Sequence, residues 1–184
     1  MENILDKFSL KGKTVLVTGG AGLLGKQFAL SLAQAGAKVM VADLAYDLAK
    51  DYSDSLNSQG LLTEALAVDI TDSLSVKEMV EFTLKRFGRL DALVNSAAMD
   101  PKFDPAHQGQ QSANAFETYP LSAWQDAIDV NLTGLFLACQ AAVIPMLEQG
   151  SGVIVNICST YGLVGPDQRI YERDDAPQQF KPVY

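Results

Sequence analysis

The strongest constraint on the fold is an alternation of short apolar runs with longer amphipathic segments. The runs predict buried strands and the segments between them predict helices. Strand–helix–strand connections of this kind produce parallel strands with right-handed crossovers. The sequence therefore predicts an α/β fold, a doubly wound parallel sheet in a three-layer αβα sandwich, with ligands beyond the carboxyl ends of the strands. The strands are expected at residues 14–17, 38–42, 64–68, 90–94 and 152–157, and the helices at 23–35, 45–56, 73–87 and 122–147.

Composition supports one folded domain over residues 1–184 and excludes several functions. Hydrophobic residues make up 48% and charged residues 20% of the 184, a mixture that buries a core and excludes disorder of the whole chain. The formal net charge of -8 disfavours nucleic-acid and membrane-surface binding. Two cysteines, Cys139 and Cys158, form no disulfide framework and are expected to be small core residues. With only His107, a metal site is not expected, and we expect a soluble, cytoplasmic protein.

A glycine-rich turn, Thr18–Gly25 (TGGAGLLG), joins the first predicted strand to the first predicted helix. Gly19, Gly22 and Gly25 allow a tight turn, close approach of the backbone to a diphosphate, and close packing of helix on strand. The diphosphate then meets the positive end of the helix. The position of this turn, after a strand and before a helix, favours a dinucleotide site over a ligand-free turn. We expect Gly19→Val to abolish cofactor binding while leaving the fold largely intact.

Asp43 follows the second predicted strand and is the candidate reader of the ribose. An acidic side chain at this position accepts hydrogen bonds from the hydroxyls of an adenosine ribose and repels a 2′-phosphate. No basic residue follows it before Lys50, so NAD is favoured and NADP is disfavoured. The alternative is a solvated aspartate at a strand end, where polar residues are common.

Polar and small residues also follow the third and fourth predicted strands. Asp69-Ile70 follows the third, and Asn95-Ser96-Ala97-Ala98 follows the fourth. Small residues at 96–98 allow a flat ligand to lie against the backbone, and Asn95 can tie neighbouring strand ends together. Each of these groups, taken alone, is explained as well by a structural role.

Together these motifs resemble the short-chain dehydrogenase/reductase family. The resemblance includes Trp124, the run Val130–Gly134 (VNLTG) and Asn156–Ser159 (NICS), and it extends over nearly the entire chain. It implies a Rossmann-type sheet, a nicotinamide cofactor and hydride transfer at a carbon bearing oxygen. The residues that would line the cofactor are Thr18, Gly19, Gly22, Leu24, Gly25, Asp43, Asp69, Ile70, Asn95 and Ala97.

The resemblance also implies three catalytic positions. Ser159 would hydrogen-bond the substrate oxygen, while Asn131 would kink its helix and hold a water in a proton relay. The family's Tyr-x-x-x-Lys pair is absent, since neither Tyr161 nor Tyr171 is followed four positions later by lysine. Residues 165–182 resemble an insertion before that pair, so Tyr184 is either the catalytic tyrosine or its neighbour. We therefore expect a domain incomplete at its C-terminus, lacking the family's last strands and inactive as a 184-residue fragment.

The function these residues predict is an NAD-dependent alcohol dehydrogenase or ketone reductase acting on a small alcohol or carbonyl compound. Residues 167–172 (DQRIYE) are similar to those of dehydrogenases of bacterial surface-sugar and flagellin-modification pathways, which favours a sugar derivative. The glycine spacing, Thr-Gly-x-x-Gly-x-x-Gly, is commoner in the branch with nucleotide-sugar epimerases and dehydratases, which is one alternative. A non-catalytic dinucleotide-binding module is the other. The resemblance implies a homodimer or homotetramer for the full-length protein.

Overall fold

Five parallel strands form one sheet in the computed structural model, which describes residues 4–99, 119–165 and 167. The strands are β1 (Thr14–Thr18), β2 (Lys38–Asp43), β3 (Thr63–Ala67), β4 (Ala92–Asn95) and β5 (Val153–Asn156). Their order across the sheet is β3-β2-β1-β4-β5. The change of direction beside β1 places strand ends around an open crevice, and the predicted doubly wound α/β sheet is confirmed.

Within the described part of the chain, five α-helices connect or follow the strands. They are α1 (Leu23–Gln34), α2 (Tyr46–Asn57), α3 (Ser73–Phe87), α4 (Leu121–Ile128) and α5 (Leu135–Glu148). Asp72 caps α3 by accepting a hydrogen bond from the Leu74 N–H, and Gly88 ends it in the left-handed conformation. The helix predicted at 122–147 differs from the structure, because a π-helical segment, Asp129–Gly134, interrupts it.

The chain divides into two compact units. The first, residues 1–97 and 134–157, holds the sheet with α1, α2, α3 and α5. The second, residues 98–133 and 158–184, holds α4 and a short 3-10 turn, Thr160–Gly162. The expectation of a single domain over residues 1–184 stays a prediction.

Within the first unit, both faces of the central strands are covered, whereas Val153 and Val155 of the edge strand β5 are exposed. Alternate strand residues such as Val15 and Val17 pack with Ala29 and Ala33 of α1 and with Ala49 of α2. The residues between them, including Leu16, Met40 and Leu93, are also fully buried, on the side of α3 and α5. Since neither face of the central strands meets water, these strands read as unbroken apolar runs.

The long apolar helical stretch Leu121–Glu148 is long enough, by length and composition, to cross a membrane. Its most apolar window has a mean hydropathy of 1.7 and is 33% buried inside the protein. A helix that covers a sheet passes the same test, and α5 buries Ala138, Ala142 and Met146 while packing on β4 and α3. We therefore assign α5, the C-terminal half of this stretch, to the helix layer of the first unit.

The amino ends of β1 and β4 are joined through Asp91. Its carboxylate accepts hydrogen bonds from the Arg89 Nε and Nη2 atoms (2.7 and 2.6 Å), the Thr14 N–H (2.9 Å) and the Lys13 ammonium (3.1 Å). The side chain is only 9% exposed. The apolar run predicts a strand that begins at residue 90, but Leu90 lies before β4. Its N–H donates to the Gln149 side-chain oxygen and its carbonyl accepts from the Gln149 side-chain nitrogen.

The surroundings of Asp91 set its protonation. Burial by itself would raise the pKa of the Asp91 carboxyl, but hydrogen bonds from Arg89, Thr14 and Lys13 outweigh burial, and the pKa lies below its ordinary value. The unfolded chain therefore binds a proton more readily than the folded one, and stability rises with pH through this range. The contribution is complete above the unfolded pKa of about 3.9 and is lost as the pH falls through the folded pKa.

Asp91→Asn is expected to lower the free energy of unfolding at pH 7 by about 3 kcal/mol, because basic groups and a buried N–H lose their charged acceptor. Urea unfolding of both proteins between pH 7 and pH 2 measures the effect. The difference between them should shrink as the pH falls below about 4. Asp54→Asn, which removes an exposed acid paired with Lys50, is the control and should leave stability nearly unchanged. A pH-independent difference at Asp91 would contradict the assignment.

Candidate functional site

The register of the sheet brings the predicted site residues of the first unit to one edge. Thr18, the last residue of β1, pairs with Ala42 of β2 on one side and with Asn95 of β4 on the other. The part of the glycine-rich turn that follows Thr18, Gly19–Gly25, is called the glycine turn below. It therefore begins between Asp43 and Ala97. These are the residues that the sequence analysis placed around a dinucleotide.

Gly19 and Gly25 are required by the packing of the turn itself. Gly19 has φ +64°, and a Cβ atom there would lie 2.6 Å from the Ala97 Cα atom. A Cβ atom at Gly25 would overlap the Gly19 carbonyl oxygen. The expectation that Gly19→Val leaves the fold largely intact is therefore wrong, because the larger side chain meets backbone and also requires a left-handed conformation.

Gly22 differs from these two glycines because it is exposed and precedes α1 in extended conformation. No side chain caps α1 at this end, and its first turn carries no acidic residue. The N–H groups of that turn, with the partial positive charge of the helix end, are donors that suit an anion. Leu24 is exposed beside it. The donors and the space left by Gly22 fit the diphosphate of a dinucleotide.

Asp43 is half-buried at the end of β2, and both its carboxylate oxygens are oriented by main-chain amides. The Ala21 N–H donates to Oδ2 at 2.9 Å, and the Ala45 N–H donates to Oδ1 at 3.0 Å. Each carboxylate oxygen offers about two acceptor positions, so capacity remains for ribose hydroxyl groups. The geometry therefore fits the role predicted from the sequence.

A buried polar network joins the ends of β1, β4 and β5. The Asn95 amide nitrogen donates to the Asn156 Oδ1 atom at 2.9 Å and lies 3.3 Å from the Cys139 Sγ atom. Thr18 Oγ1 donates to the Asn95 Oδ1 atom and accepts from the Ala97 N–H, each at 3.4 Å. Thr18 is 1% and Asn95 4% exposed, so their side chains lie beneath the surface at the strand ends. The assignment of both residues to a cofactor site stays a prediction.

Asp69 and Ile70 follow β3 with different environments. The exposed Asp69 carboxylate accepts from the Thr71 hydroxyl (2.7 Å) and N–H (2.9 Å), and these hydrogen bonds lower the pKa of Asp69 below its usual value. Ile70 is buried, and a Cβ atom at Gly134 would lie 2.8 Å from its Cγ1 atom. Asp69 is therefore an available anionic acceptor, whereas the side chain of Ile70 packs on the beginning of α5.

The second unit holds two of the predicted catalytic residues. Ser159 Oγ accepts a hydrogen bond from the Tyr161 N–H at 3.1 Å, which leaves the hydroxyl proton without an acceptor among the described residues. Asn131 lies in the π-helical segment; its Oδ1 accepts from the Met99 N–H (2.8 Å) and its Nδ2 donates to the Met99 carbonyl (3.0 Å). Tyr184 and His107 lie outside the described residues.

Several supporting residues escaped the sequence analysis. Ala21 and Ala45 act through main-chain N–H groups, which no side-chain pattern reveals. Both cysteines were expected in the core. Cys139 is half-buried, and its sulfur lies beside the amides of Asn95 and Asn156, whereas Cys158 is exposed. The position of Asn156 beside Asn95 could have been found from the sequence, because β4 and β5 both end on an asparagine and neighbouring parallel strands end side by side.

Comparisons with known proteins agree with this arrangement. The sequence profile described as short chain dehydrogenase matches residues 13–171. The 5-keto-D-gluconate 5-reductase of Escherichia coli K12 is 33% identical over 88% of this chain and 59% of its own length. The D-threitol dehydrogenase of Mycolicibacterium smegmatis is 35% identical over 89% of this chain and 58% of its own length.

A solved structure extends the comparison to a bound cofactor. A 7α-hydroxysteroid dehydrogenase complexed with NADH and 7-oxo glycochenodeoxycholic acid superposes with a TM-score of 0.76 and 28% identity, covering 90% of this chain and 60% of its own. The chain thus spans about three fifths of the length of the relatives it matches. The profile match over most of the sequence, with the parallel sheet and glycine turn, shows that the chain belongs to the short-chain dehydrogenase family.

Proposed function

We propose that the protein carrying this chain is an NAD-dependent oxidoreductase that interconverts an alcohol and a carbonyl group on a small molecule. The observation that carries the proposal is the position of Asp43, joined by a hydrogen bond to the glycine turn beside the uncapped start of α1. This pairing of an anion site with a ribose acceptor suits a dinucleotide. Family membership and the NADH complex of a similar dehydrogenase support it.

The preference for NAD over NADP is argued from charge. A 2′-phosphate would approach the Asp43 carboxylate, whose like charge opposes it. Lys50 is the first basic residue after Asp43 in the sequence, and it is paired with Asp54 one helical turn further along α2. This pairing leaves Lys50 a poor partner for a second anion, so the local charge favours a free ribose hydroxyl.

The proposed chemistry divides between cofactor and protein. A bound nicotinamide would supply the hydride acceptor or donor. The hydroxyl of Ser159, whose proton has no acceptor among the described residues, would donate to the substrate oxygen. Tyr184 or its neighbour is our candidate for the residue that exchanges the substrate proton. The Asn131 amide keeps a second N–H and a second acceptor position after its two hydrogen bonds to Met99, so it would hold the relay water implied by the family resemblance.

For the substrate we propose a polyhydroxylated compound such as a sugar acid or sugar alcohol. The printed names of two relatives, a keto-gluconate reductase and a threitol dehydrogenase, support this class. These relatives and the family profile favour a dehydrogenase over a nucleotide-sugar epimerase. The other alternative predicted from the sequence, a non-catalytic dinucleotide-binding module, is the second candidate.

NADH is expected to bind the full protein more tightly than NADPH by about 2–4 kcal/mol, because a 2′-phosphate loses the hydrogen bonds of Asp43 and meets its charge. Fluorescence titration with each reduced cofactor measures the difference. Repeating both titrations in high salt controls for long-range charge, since salt screens distant charges more than contacts. Equal affinities at low salt would contradict the assignment of Asp43.

Gly22→Val is expected to weaken NADH binding by roughly a factor of ten or more, because the side chain occupies the approach to the α1 amides. The melting temperature should fall only modestly, since Gly22 is exposed and has extended backbone, and a Cβ atom there would lie 3.1 Å from the Gly19 carbonyl oxygen. Gly19→Val provides the contrast and should lower the melting temperature strongly. Unchanged NADH affinity in a folded Gly22→Val protein would place the diphosphate elsewhere.

Ser159→Ala is expected to lower kcat roughly 100-fold or more in the full protein, as the loss of one hydrogen-bond donor to the reacting oxygen does elsewhere. The Kd for NADH should stay unchanged. Steady-state turnover of NADH with a panel of keto-sugar acids measures the first quantity, and titration measures the second. Absence of turnover in the unsubstituted protein, with NADH bound, would favour the non-catalytic module.

A further inference from the structure

The hydrogen bonds around Asp43 give this residue a second task beyond reading the ribose. We propose that Asp43 is a positioning residue for the glycine turn, so that nucleotide selectivity and the order of the diphosphate-binding loop depend on one carboxylate. The inference concerns the site of the proposed function and rests on it for the identity of the ligand. The hydrogen bond between Asp43 and the glycine turn is formed without any ligand.

The Asp43 carboxylate accepts a main-chain hydrogen bond at the point where the backbone hydrogen bonds between β1 and β2 end. The last residue pair is Thr18 with Ala42, and the second residue of the turn still reaches the strand, because the Gly20 N–H donates to the Ala42 carbonyl at 3.0 Å. The next amide, that of Ala21, does not bind the main-chain carbonyl of Asp43, which accepts from the Val68 N–H. The Asp43 side chain supplies the acceptor instead, at 2.9 Å.

A second hydrogen bond fixes the carboxylate from the other side. The Ala45 N–H donates to Oδ1, and Ala45 is the N-cap residue of α2, whose side chain has no acceptor of its own. The two amides come from different turns, so the carboxylate links the start of α2 to the glycine turn. Its remaining acceptor positions are thereby oriented before any ligand arrives.

An ordinary local turn is the competing explanation. An aspartate often accepts from the N–H two residues later, and the contact with Ala45 has that spacing. In that case the contact with Ala21 is incidental, and removal of the carboxylate loosens only the β2–α2 connection. The two explanations differ at the Ala21 amide, which lies 22 residues away in sequence.

Amide hydrogen exchange of the cofactor-free full protein, resolved by NMR, tests the proposal. Asp43→Ala is expected to speed exchange roughly tenfold or more at both Ala21 and Ala45, since both amides lose their acceptor. Val41, buried in β2, should exchange as slowly as before and reports on the fold as a whole. Asp47→Ala is the matched control: it removes the charge of an exposed acid with no hydrogen bond to the glycine turn in the described part of the chain.

Protection of Ala21 that survives in a folded Asp43→Ala protein would overturn the proposal. If Asp43→Ala fails to fold, Asp43→Asn replaces it, because the amide side chain keeps one acceptor oxygen and presents its NH2 group to the other site. The expected result is fast exchange at one of the two amides, Ala21 or Ala45, with the other still protected. Full protection of both amides in Asp43→Asn would contradict the proposal.

NADH and NADPH titrations of the same variants separate this proposal from the proposed function. Loss of Ala21 protection with an unchanged ratio of NADH to NADPH affinity supports the link to the turn and contradicts nucleotide selection by Asp43. A changed ratio with Ala21 still protected overturns the link and supports the selection. The expected result is that both change together in Asp43→Ala and neither changes in Asp47→Ala.

Discussion

Burial of β1 between β2 and β4 is the constraint on which the rest of the structure depends. Leu16 and Val17 are fully buried, so the strand is anchored on both faces as well as along both edges. Because β1 ends at Thr18, the glycine turn starts at a fixed point between the ends of its neighbours. The candidate site residues of the first unit then lie close together, because the carboxyl ends of parallel strands lie at the same end of the sheet.

Residue patterns were sufficient for the parallel sheet, since unbroken β-branched runs separated by helical segments have few other solutions. The caps of α3, Asp72 and Gly88, are residue types that favour these two positions. The start of β4 was less predictable, because Leu90 is apolar yet is held outside the ladder by the side chain of Gln149, 59 residues later. The π-helical segment at Asp129–Gly134 likewise has no signature in hydrophobic periodicity.

The sequence predicts which segments form the candidate site. It does not predict which of their residues are needed for packing and which are open to a ligand. Three glycines appear equivalent in the sequence, but Gly19 and Gly25 serve packing while Gly22 leaves the helix start open. The side chain of Thr18 is buried and donates a hydrogen bond to Asn95, a contact that the motif does not reveal. These differences arise from main-chain contacts across the sheet, which a one-dimensional pattern does not contain.

The central claim is that the first strand–turn–helix unit, with Asp43, forms the nucleotide site, and a crystal structure of the full protein with NADH tests it most directly. The account predicts diphosphate oxygens about 3 Å from the first N–H groups of α1 and ribose hydroxyl groups at similar distance from the Asp43 carboxylate. A dinucleotide bound away from the start of α1, or a ribose turned away from Asp43, would contradict it.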